Sequence, residues 1–294
     1  MKTRSADVPM LGVAVASGAL AGWSVDAIAG ALTAAEVQRI EIAVGKTGLL
    51  NVDDEGLAAR LQSRLADLGL EVCGVDATQD LAINNARAAA VLDLAAELDA
   101  PFVRYYAPVF DRNLSIEFQF ERAANALYDL ALRGKRQSID VLIELAPGTI
   151  APSPELGRRI LDTAGFSGTG IVFDPGSMVT EGHLPHDLAL ALLGGTVSHV
   201  HVKNRALERQ DGRWLPTSRT LADGLVDWPG TLQLLVDKGY TGLLSIDHLS
   251  GPASVNLLCS DVGELRSMIK VLSERSTVDL DVSPGPLDPY LSTG

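Results

Sequence analysis

The sequence has few of the features that identify secreted, membrane or nucleic-acid-binding proteins. Only two cysteines, Cys73 and Cys259, occur in 294 residues, which fits buried thiols in a reducing cytoplasm rather than a disulfide framework. No apolar run approaches the roughly 20 residues that cross a bilayer, so no membrane partner is expected. Basic residues are outnumbered 24 to 37, and the net charge of −13 opposes binding to nucleic acid. These shortages favour a small-molecule ligand.

Strand-like and helix-like segments nevertheless alternate along the whole chain. Eight segments have the character of strands: 11–18, 39–44, 70–77, 101–109, 140–147, 169–176, 197–204 and 242–249. Helical patterns separate them, and no glycine-rich GxGxxG or P-loop sequence follows an early strand, which disfavours an open doubly wound sheet. Eight strand-then-helix units predict an α/β protein, a single-domain (β/α)8 TIM barrel over residues 1–276.

The pattern stops near the carboxyl end of the chain. Residues 277–294 are rich in proline and glycine and include Tyr290 and Leu291. This segment is either a loose tail or an arm that packs on a neighbouring subunit of a homo-oligomer.

Polar side chains share one parity in the last four predicted strands. Alternate residues of a barrel strand point toward the axis, and barrel enzymes place their chemistry at the carboxyl ends of the strands. His199, His201 and Lys203 share the inward parity of the seventh strand. The inward acids and imidazole nearest the four strand ends are Glu144, Asp174, His201 and Asp247.

Three carboxylates and an imidazole repel one another and lose hydration when they are buried together. A divalent cation removes that objection, so we predict one metal ion bound by Glu144, Asp174, His201 and Asp247. A set dominated by oxygen predicts Mn²⁺ or Mg²⁺, with Zn²⁺ or Co²⁺ as alternatives. His199 lies one pleat deeper than His201, which favours support of the site over ligation.

Five short segments together resemble the xylose-isomerase-like TIM-barrel superfamily of sugar phosphate isomerases and epimerases. The resemblance covers roughly residues 10 to 275. Its segments are IELAPGT at 143–149, IVFDPGSM at 171–178, HVKN at 201–204, LADGLVDW at 221–228 and GYTGLLSIDH at 239–248. They are specific to the superfamily in this order and spacing, but not to one reaction.

The resemblance implies a carbohydrate substrate, a ketose or keto-acid that binds the metal and loses a proton to give an enediolate. Glu144 and Asp247 correspond to the acid/base pair of that family. Lys203 is the third predicted catalytic residue; it either holds a substrate oxygen or forms a salt bridge with Asp174 or Glu144. Further candidates for substrate binding are Arg104, Glu41, Ser177 and His183.

Three positions depart from the family pattern. Asp247 stands where glutamate is usual, Ser177 where asparagine or histidine is common, and Asn204 where aspartate is common. The shorter Asp247 leaves open a lyase reaction that starts from the same enediolate. A non-catalytic sugar-binding or partner subunit is the remaining alternative.

Overall fold

The computed structural model describes residues 11–45, 48–53, 56–81, 85–182 and 184–278. His183 and residues 279–294 lie outside these ranges. The predicted role of His183 and the two interpretations of the carboxyl-terminal segment therefore stay predictions.

Eight parallel strands close into a barrel, as the sequence predicts. The order around the barrel is β1-β10-β7-β6-β5-β4-β3-β2. The barrel strands are β1 (Gly12–Ala16), β2 (Arg39–Val44), β3 (Glu71–Asp80), β4 (Phe102–Tyr106), β5 (Asp140–Glu144), β6 (Thr169–Phe173), β7 (Val197–Val202) and β10 (Leu243–Ile246). Several are shorter than predicted; β4, for example, lies between Pro101 and Pro108, which have no backbone N–H for a sheet hydrogen bond.

Helices surround the barrel. They are α1 (Val25–Ala34), α2 (Leu57–Asp67), α3 (Asn85–Glu97), α4 (Ile116–Gln137), α5 (Pro154–Ala164), α6 (Pro175–Met178), α7 (His186–Leu193), α8 (Trp228–Asp237) and α9 (Val255–Val278), with 3-10 turns at Ser17–Leu20 and Gly194–Thr196. Ser24 and Ser115 cap α1 and α4, accepting hydrogen bonds from Ala27 N and Phe118 N. None of the described helices has the length and apolar character needed to cross a membrane.

The barrel interior changes character along its axis. Near the amino end, Phe102, Leu142 and Val172 form a separate buried apolar cluster inside the strands. Gly74 makes room for it, because a Cβ at this position would lie 2.2 Å from the Phe102 ring. The ring of His199 packs on Phe102 with centroids 4.8 Å apart, and polar groups fill the barrel above it.

A two-stranded hairpin that the sequence analysis did not predict follows β7. Its strands are β8 (Asn204–Gln210) and β9 (Arg213–Arg219), and they pair antiparallel. Asp211 and Gly212 form the turn with φ of 49° and 80°, the left-handed conformation that a two-residue hairpin turn requires. The hairpin projects from the carboxyl end of the barrel beside the predicted site.

Candidate metal and substrate site

The predicted metal ligands and Lys203 all lie at the carboxyl end of the barrel. Glu144 is the last residue of β5, and His201 is the fifth of the six residues of β7. Asp174, Lys203 and Asp247 directly follow β6, β7 and β10. The alternation of inward and outward side chains thus continues for one residue beyond these strands, and the polar side chains meet at the mouth of the barrel.

Asp174 is held by the helix that it caps. Its Oδ1 accepts a hydrogen bond from Ser177 N and its Oδ2 accepts one from Ser177 Oγ, both at 2.8 Å. Burial raises the pKa of Asp174, but Lys203 and His201 outweigh it and lower the pKa to about 2. Ser177, predicted to bind substrate, therefore supports Asp174, although it also lines the cavity described below.

Lys203 connects two of the predicted ligands. Its Nζ lies 2.5 Å from Asp174 Oδ2 and 2.7 Å from Asp247 Oδ2. Burial lowers the pKa of Lys203, yet Asp174 and Asp247 together hold it above its usual value, so the ammonium stays charged. The salt bridge to Asp174 is one of the two predicted roles of Lys203, and the bridge to Asp247 was not predicted.

His201 uses both ring nitrogens. Nδ1 faces Glu144 Oε2 at 3.6 Å and Asp247 Oδ2 at 3.7 Å, while Nε2 lies 3.2 Å from Glu41 Oε2. The same oxygen of Glu41 is 3.3 Å from His199 Nε2. Burial raises the pKa of Glu41, but His201 and His199 hold it well below the usual range, so Glu41 is a buried carboxylate beneath the ring. Glu41, predicted to bind substrate, is placed to orient His201.

The guanidinium of Arg104 forms ion pairs with carboxylates and does not face open space. Its Nη2 lies 2.5 Å from Asp76 Oδ1 and its Nε 2.9 Å from Glu144 Oε2. The guanidinium also stacks over the Tyr106 ring, 4.3 Å from the centroid. Asp76 was not predicted; its burial outweighs the attraction of Arg104 and raises its pKa to about 6. The inward parity of Asp76 with Gly74 near the end of the third strand is the signal that could have found it.

The donor set fits a divalent cation. Ligand atoms of Glu144, Asp174 and His201 all lie within 4.8 Å of one another, and all three residues are buried. Glu144 Oε2, His201 Nδ1 and Asp247 Oδ1 are buried and have no hydrogen-bond partner among the described residues. The contact of Glu144 Oε2 with Arg104 Nε is close enough for an ion pair but lacks hydrogen-bond direction. Asp247, the predicted fourth ligand, lies outside this three-residue group, and its Oδ2 is paired with Lys203.

Glu41, His199 and His201 form a second buried group of possible ligands. His201 Nε2 and both oxygens of Glu41 are already within hydrogen-bond distance, at 3.4 and 3.2 Å. We therefore interpret this group as hydrogen-bonded support for His201 rather than as a separate cation site.

A cavity of about 670 Å³ opens above these residues. Its lining includes the polar residues Glu144, Lys203 and Asp247 and the more apolar residues Tyr106, Ala107, Val109, Ala146 and Pro147. Arg205 and His248, which the sequence analysis did not select for the site, also face it. His248 contacts the hairpin, with its Nε2 2.8 Å from Ser218 Oγ. A second cavity of about 580 Å³, lined by Leu11–Val13, Glu36–Arg39 and α9, contains none of the predicted site residues.

Comparison with known proteins agrees with this architecture. The profile of the family described as "Xylose isomerase-like TIM barrel" matches residues 31–268, and the chain belongs to that family. No curated protein sequence matches the chain.

Several solved structures share the fold. L-ribulose 3-epimerase is 17% identical with a TM-score of 0.74, and the alignment covers 94% of this chain and 100% of that one. The probable 3-DHS dehydratase AsbF of Bacillus anthracis is 15% identical with a TM-score of 0.69, covering 87% and 99%. A xylose isomerase-like TIM barrel protein of Mycobacterium smegmatis in complex with magnesium is 18% identical with a TM-score of 0.69, covering 91% and 98%. At these identities the likeness establishes the fold alone.

Proposed function

We propose that the protein is a divalent-metal-dependent isomerase or epimerase that acts on a ketose, keto-sugar or sugar acid through an enediolate. The observation that carries the proposal is the buried group of Glu144, Asp174 and His201 at the mouth of the barrel. Asp247, whose Oδ2 lies 3.7 Å from His201 Nδ1, is the proposed fourth member of the set. Mn²⁺ and Mg²⁺ suit this oxygen-rich set, and Zn²⁺ and Co²⁺ remain alternatives.

The residues that would hold the cation are Glu144, Asp174 and His201, with Asp247 as the fourth. Donors that share one ion at bond lengths of roughly 2.0–2.3 Å lie about 3–4.5 Å apart. The contacts of His201 Nδ1 with Glu144 and Asp247, at 3.6 and 3.7 Å, fall in this range. When bound, a divalent cation stabilises negative charge on a carbonyl oxygen and so makes the neighbouring C–H more acidic.

Glu144 and Asp247 are the candidates for moving the proton. They approach His201 Nδ1 from different strands, and both line the cavity. A carboxylate on one side of the substrate carbon can remove a proton, and the acid on the other side can return one, which exchanges the configuration or moves the carbonyl. Arg104 Nε lies 2.9 Å from Glu144 Oε2, and this ion pair helps to hold the carboxylate in place.

Lys203 would set the position of both acids. Its ammonium contacts Asp174 and Asp247 at the same time, so it holds two carboxylates at the mouth that would otherwise repel each other. It is also the charged donor nearest Asp247 on the cavity wall, where it can reach a substrate oxygen.

Two kinds of neighbour support this assignment. Among the structures of the same fold are an L-ribulose 3-epimerase and a D-tagatose 3-epimerase-like protein. Another structure of the same fold is a complex with magnesium.

A lyase is the second candidate, and the Lys203–Asp247 contact favours it. An epimerase needs two comparable acid/base groups, whereas here Asp247 lies 2.7 Å from an ammonium that can itself transfer a proton, and Glu144 lies 2.9 Å from a guanidinium that cannot. A protonated lysine at this place can donate a proton to a departing hydroxyl group after enediolate formation. One structure of the same fold is a probable 3-DHS dehydratase.

Solvent exchange tests the proposal. The purified protein, loaded with Mn²⁺, is incubated in D₂O with a panel of ketoses and keto-acids, and each sugar is recovered and analysed by NMR and mass spectrometry. Deuterium at the carbon next to the carbonyl, lost after chelation and in Glu144→Gln, is the expected result. Asp67→Asn, an exposed acid at the end of α2, is the matched control and retains exchange.

The product then separates the two reactions. An isomer or epimer supports the first candidate, and a product that has lost water or another fragment supports the lyase. Binding of a sugar with neither exchange nor product in wild type would contradict both and leave a non-catalytic binding subunit.

A further inference from the structure

Arg205 lines the cavity like Lys203, but the two cations differ in their partners. Lys203 is engaged by Asp174 and Asp247. The side chain of Arg205 is half-buried, and no ion pair or side-chain hydrogen bond to its guanidinium exists among the described residues. A guanidinium carries five donors in a planar fork, so one that faces a cavity without a partner is suited to an incoming oxyanion.

The backbone around Arg205 is fixed. Asn204 is buried, and its Oδ1 accepts hydrogen bonds from Arg205 N and Val226 N, each at 2.9 Å. The Nδ2 of Asn204 donates to Leu221 O and Val226 O. Arg205 O in turn accepts a hydrogen bond from Leu225 N at 2.8 Å. The base of the hairpin is thus tied to the loop before α8, and the start of the Arg205 side chain is held against the cavity.

The amount of charge selects the kind of anion. One guanidinium balances one negative charge, whereas a phosphate ester carries about two. The residues that line the cavity add the carboxylates of Glu144 and Asp247, which disfavour a doubly charged group. The Lys203 ammonium on the same wall is already paired with Asp174 and Asp247, and the hydroxyls of Thr149 and Ser177 donate to Ala146 O and Asp174 Oδ2. A carboxylate matches this wall better than a phosphate does.

We propose that Arg205 binds a carboxylate of the substrate, so that the protein acts on a keto-sugar acid in preference to a neutral ketose. The proposal rests on the function proposed above, because it names the substrate class of the same site. Arg205 is a specificity residue that contacts the substrate at the end remote from the proton transfer.

Binding of three matched sugars tests the proposal. D-fructose, D-fructuronate and D-fructose 6-phosphate differ only in the group at C6, which is neutral, a carboxylate or a phosphate. Their dissociation constants for the Mn²⁺-loaded full chain are measured by ligand-observed NMR, which does not require turnover. Wild type is expected to bind the carboxylate form about 10- to 100-fold more tightly than the neutral form.

Two variants test whether Arg205 causes the preference for the carboxylate. Arg205→Gln is expected to reduce the ratio of the carboxylate affinity to the neutral affinity to about one, while Arg209→Gln, an exposed arginine farther along β8, retains the preference. Equal affinity for the three sugars in wild type, a preference for the phosphate, no binding of any of them, or a carboxylate preference that survives in Arg205→Gln would overturn the proposal.

Deuterium exchange on the same samples separates the two proposals. Exchange into D-fructose that is as fast in Arg205→Gln as in wild type, with no carboxylate preference, overturns the role of Arg205 but keeps the enediolate chemistry. A carboxylate preference that depends on Arg205, without exchange into any sugar, keeps the binding role and contradicts the proposed reaction.

Discussion

Nε2 of His201 lies 3.2 Å from the buried carboxylate of Glu41, while Nδ1 of the same ring faces Glu144 and Asp247. The ring therefore has one nitrogen held by a carboxylate and the other directed at the candidate cation site. A carboxylate behind a metal-binding imidazole fixes the ring orientation and increases the basicity of the ligand nitrogen. Glu41 is 0% exposed, so water does not compete for this contact.

Replacement of Glu41 by glutamine should weaken metal binding. The glutamine side chain would retain the size of the glutamate but lose the charge that orients His201, and outer partners of this kind are worth about 10- to 100-fold in metal affinity. Titration with Mn²⁺, followed by electron paramagnetic resonance, measures the effect. Glu71→Gln, at the exposed start of β3, is the control. An unchanged affinity in Glu41→Gln would show that His201 does not need this support.

Replacement of Lys203 by methionine should make stability depend more strongly on metal than it does in wild type. Loss of the ammonium leaves Asp174 and Asp247 without their shared cation, and removal of one partner from a buried ion pair costs about 3–5 kcal/mol. We expect a lower melting temperature in the presence of a chelator and partial recovery with Mn²⁺, which can balance the same carboxylates. Calorimetry with and without Mn²⁺ measures both, and a variant that melts at the same temperature in the two conditions contradicts the expectation.

Replacement of Gly176 by alanine should disturb the same acids through the backbone. A Cβ at this position would lie 2.5 Å from Lys203 Cγ and 2.8 Å from Lys203 O, so either α6 or the segment after β7 must move. Overpacking of this kind costs about 1–3 kcal/mol. The matched control is Gly263→Ala in α9, where the added methyl meets no atom within 4 Å and is expected to stabilise the helix slightly. Urea denaturation of both variants, with Mn²⁺ affinity as a second readout, tests this; equal stability of the two would contradict it.

The ion pair of Asp93 with Arg133 should contribute stability only above acidic pH. Hydrogen bonding to Arg133 lowers the pKa of Asp93, so the folded state binds a proton less readily than the unfolded chain does. The contribution is present at neutral pH and is lost as the pH falls through the Asp93 pKa in the folded state. It is small, at most about 1 kcal/mol, since both side chains are nearly half exposed and solvent screens the charges. Denaturation of Asp93→Asn and wild type at pH 7 and at pH 3 should give a difference that shrinks on acidification; a difference that grows would contradict the sign.

Alternating parity predicted the strands and the direction of Glu144, Asp174, His201 and Asp247 because the period of a strand does not depend on its neighbours. It could not predict that Lys203 pairs with Asp247, because that contact depends on the register of β7 against β10 and on the rotamers of the two side chains. The ion pair of Arg104 with Asp76 could not be predicted for the same reason, because it depends on the register of β3 against β4.

The hairpin is a different case. The sequence contains the turn signal of this hairpin, Asp211-Gly212 between two extended segments. The hairpin was not predicted because the alternation of polar and apolar residues around this turn is weak. Arg205 lies at the base of this hairpin, and its place on the cavity wall depends on the hydrogen bonds of Asn204 to the loop before α8.

Metal stoichiometry shows whether Glu144, Asp174 and His201 bind one divalent cation. Wild type, Asp174→Asn, His201→Gln and the Asp67→Asn control are dialysed against Mn²⁺ and then against metal-free buffer, and the remaining metal is measured by elemental analysis. We predict about one equivalent in wild type and in the control, and its loss in both site variants. Wild type without bound Mn²⁺, Mg²⁺, Zn²⁺ or Co²⁺ after loading with each, or site variants that retain the full equivalent, would show that these residues do not bind a divalent cation.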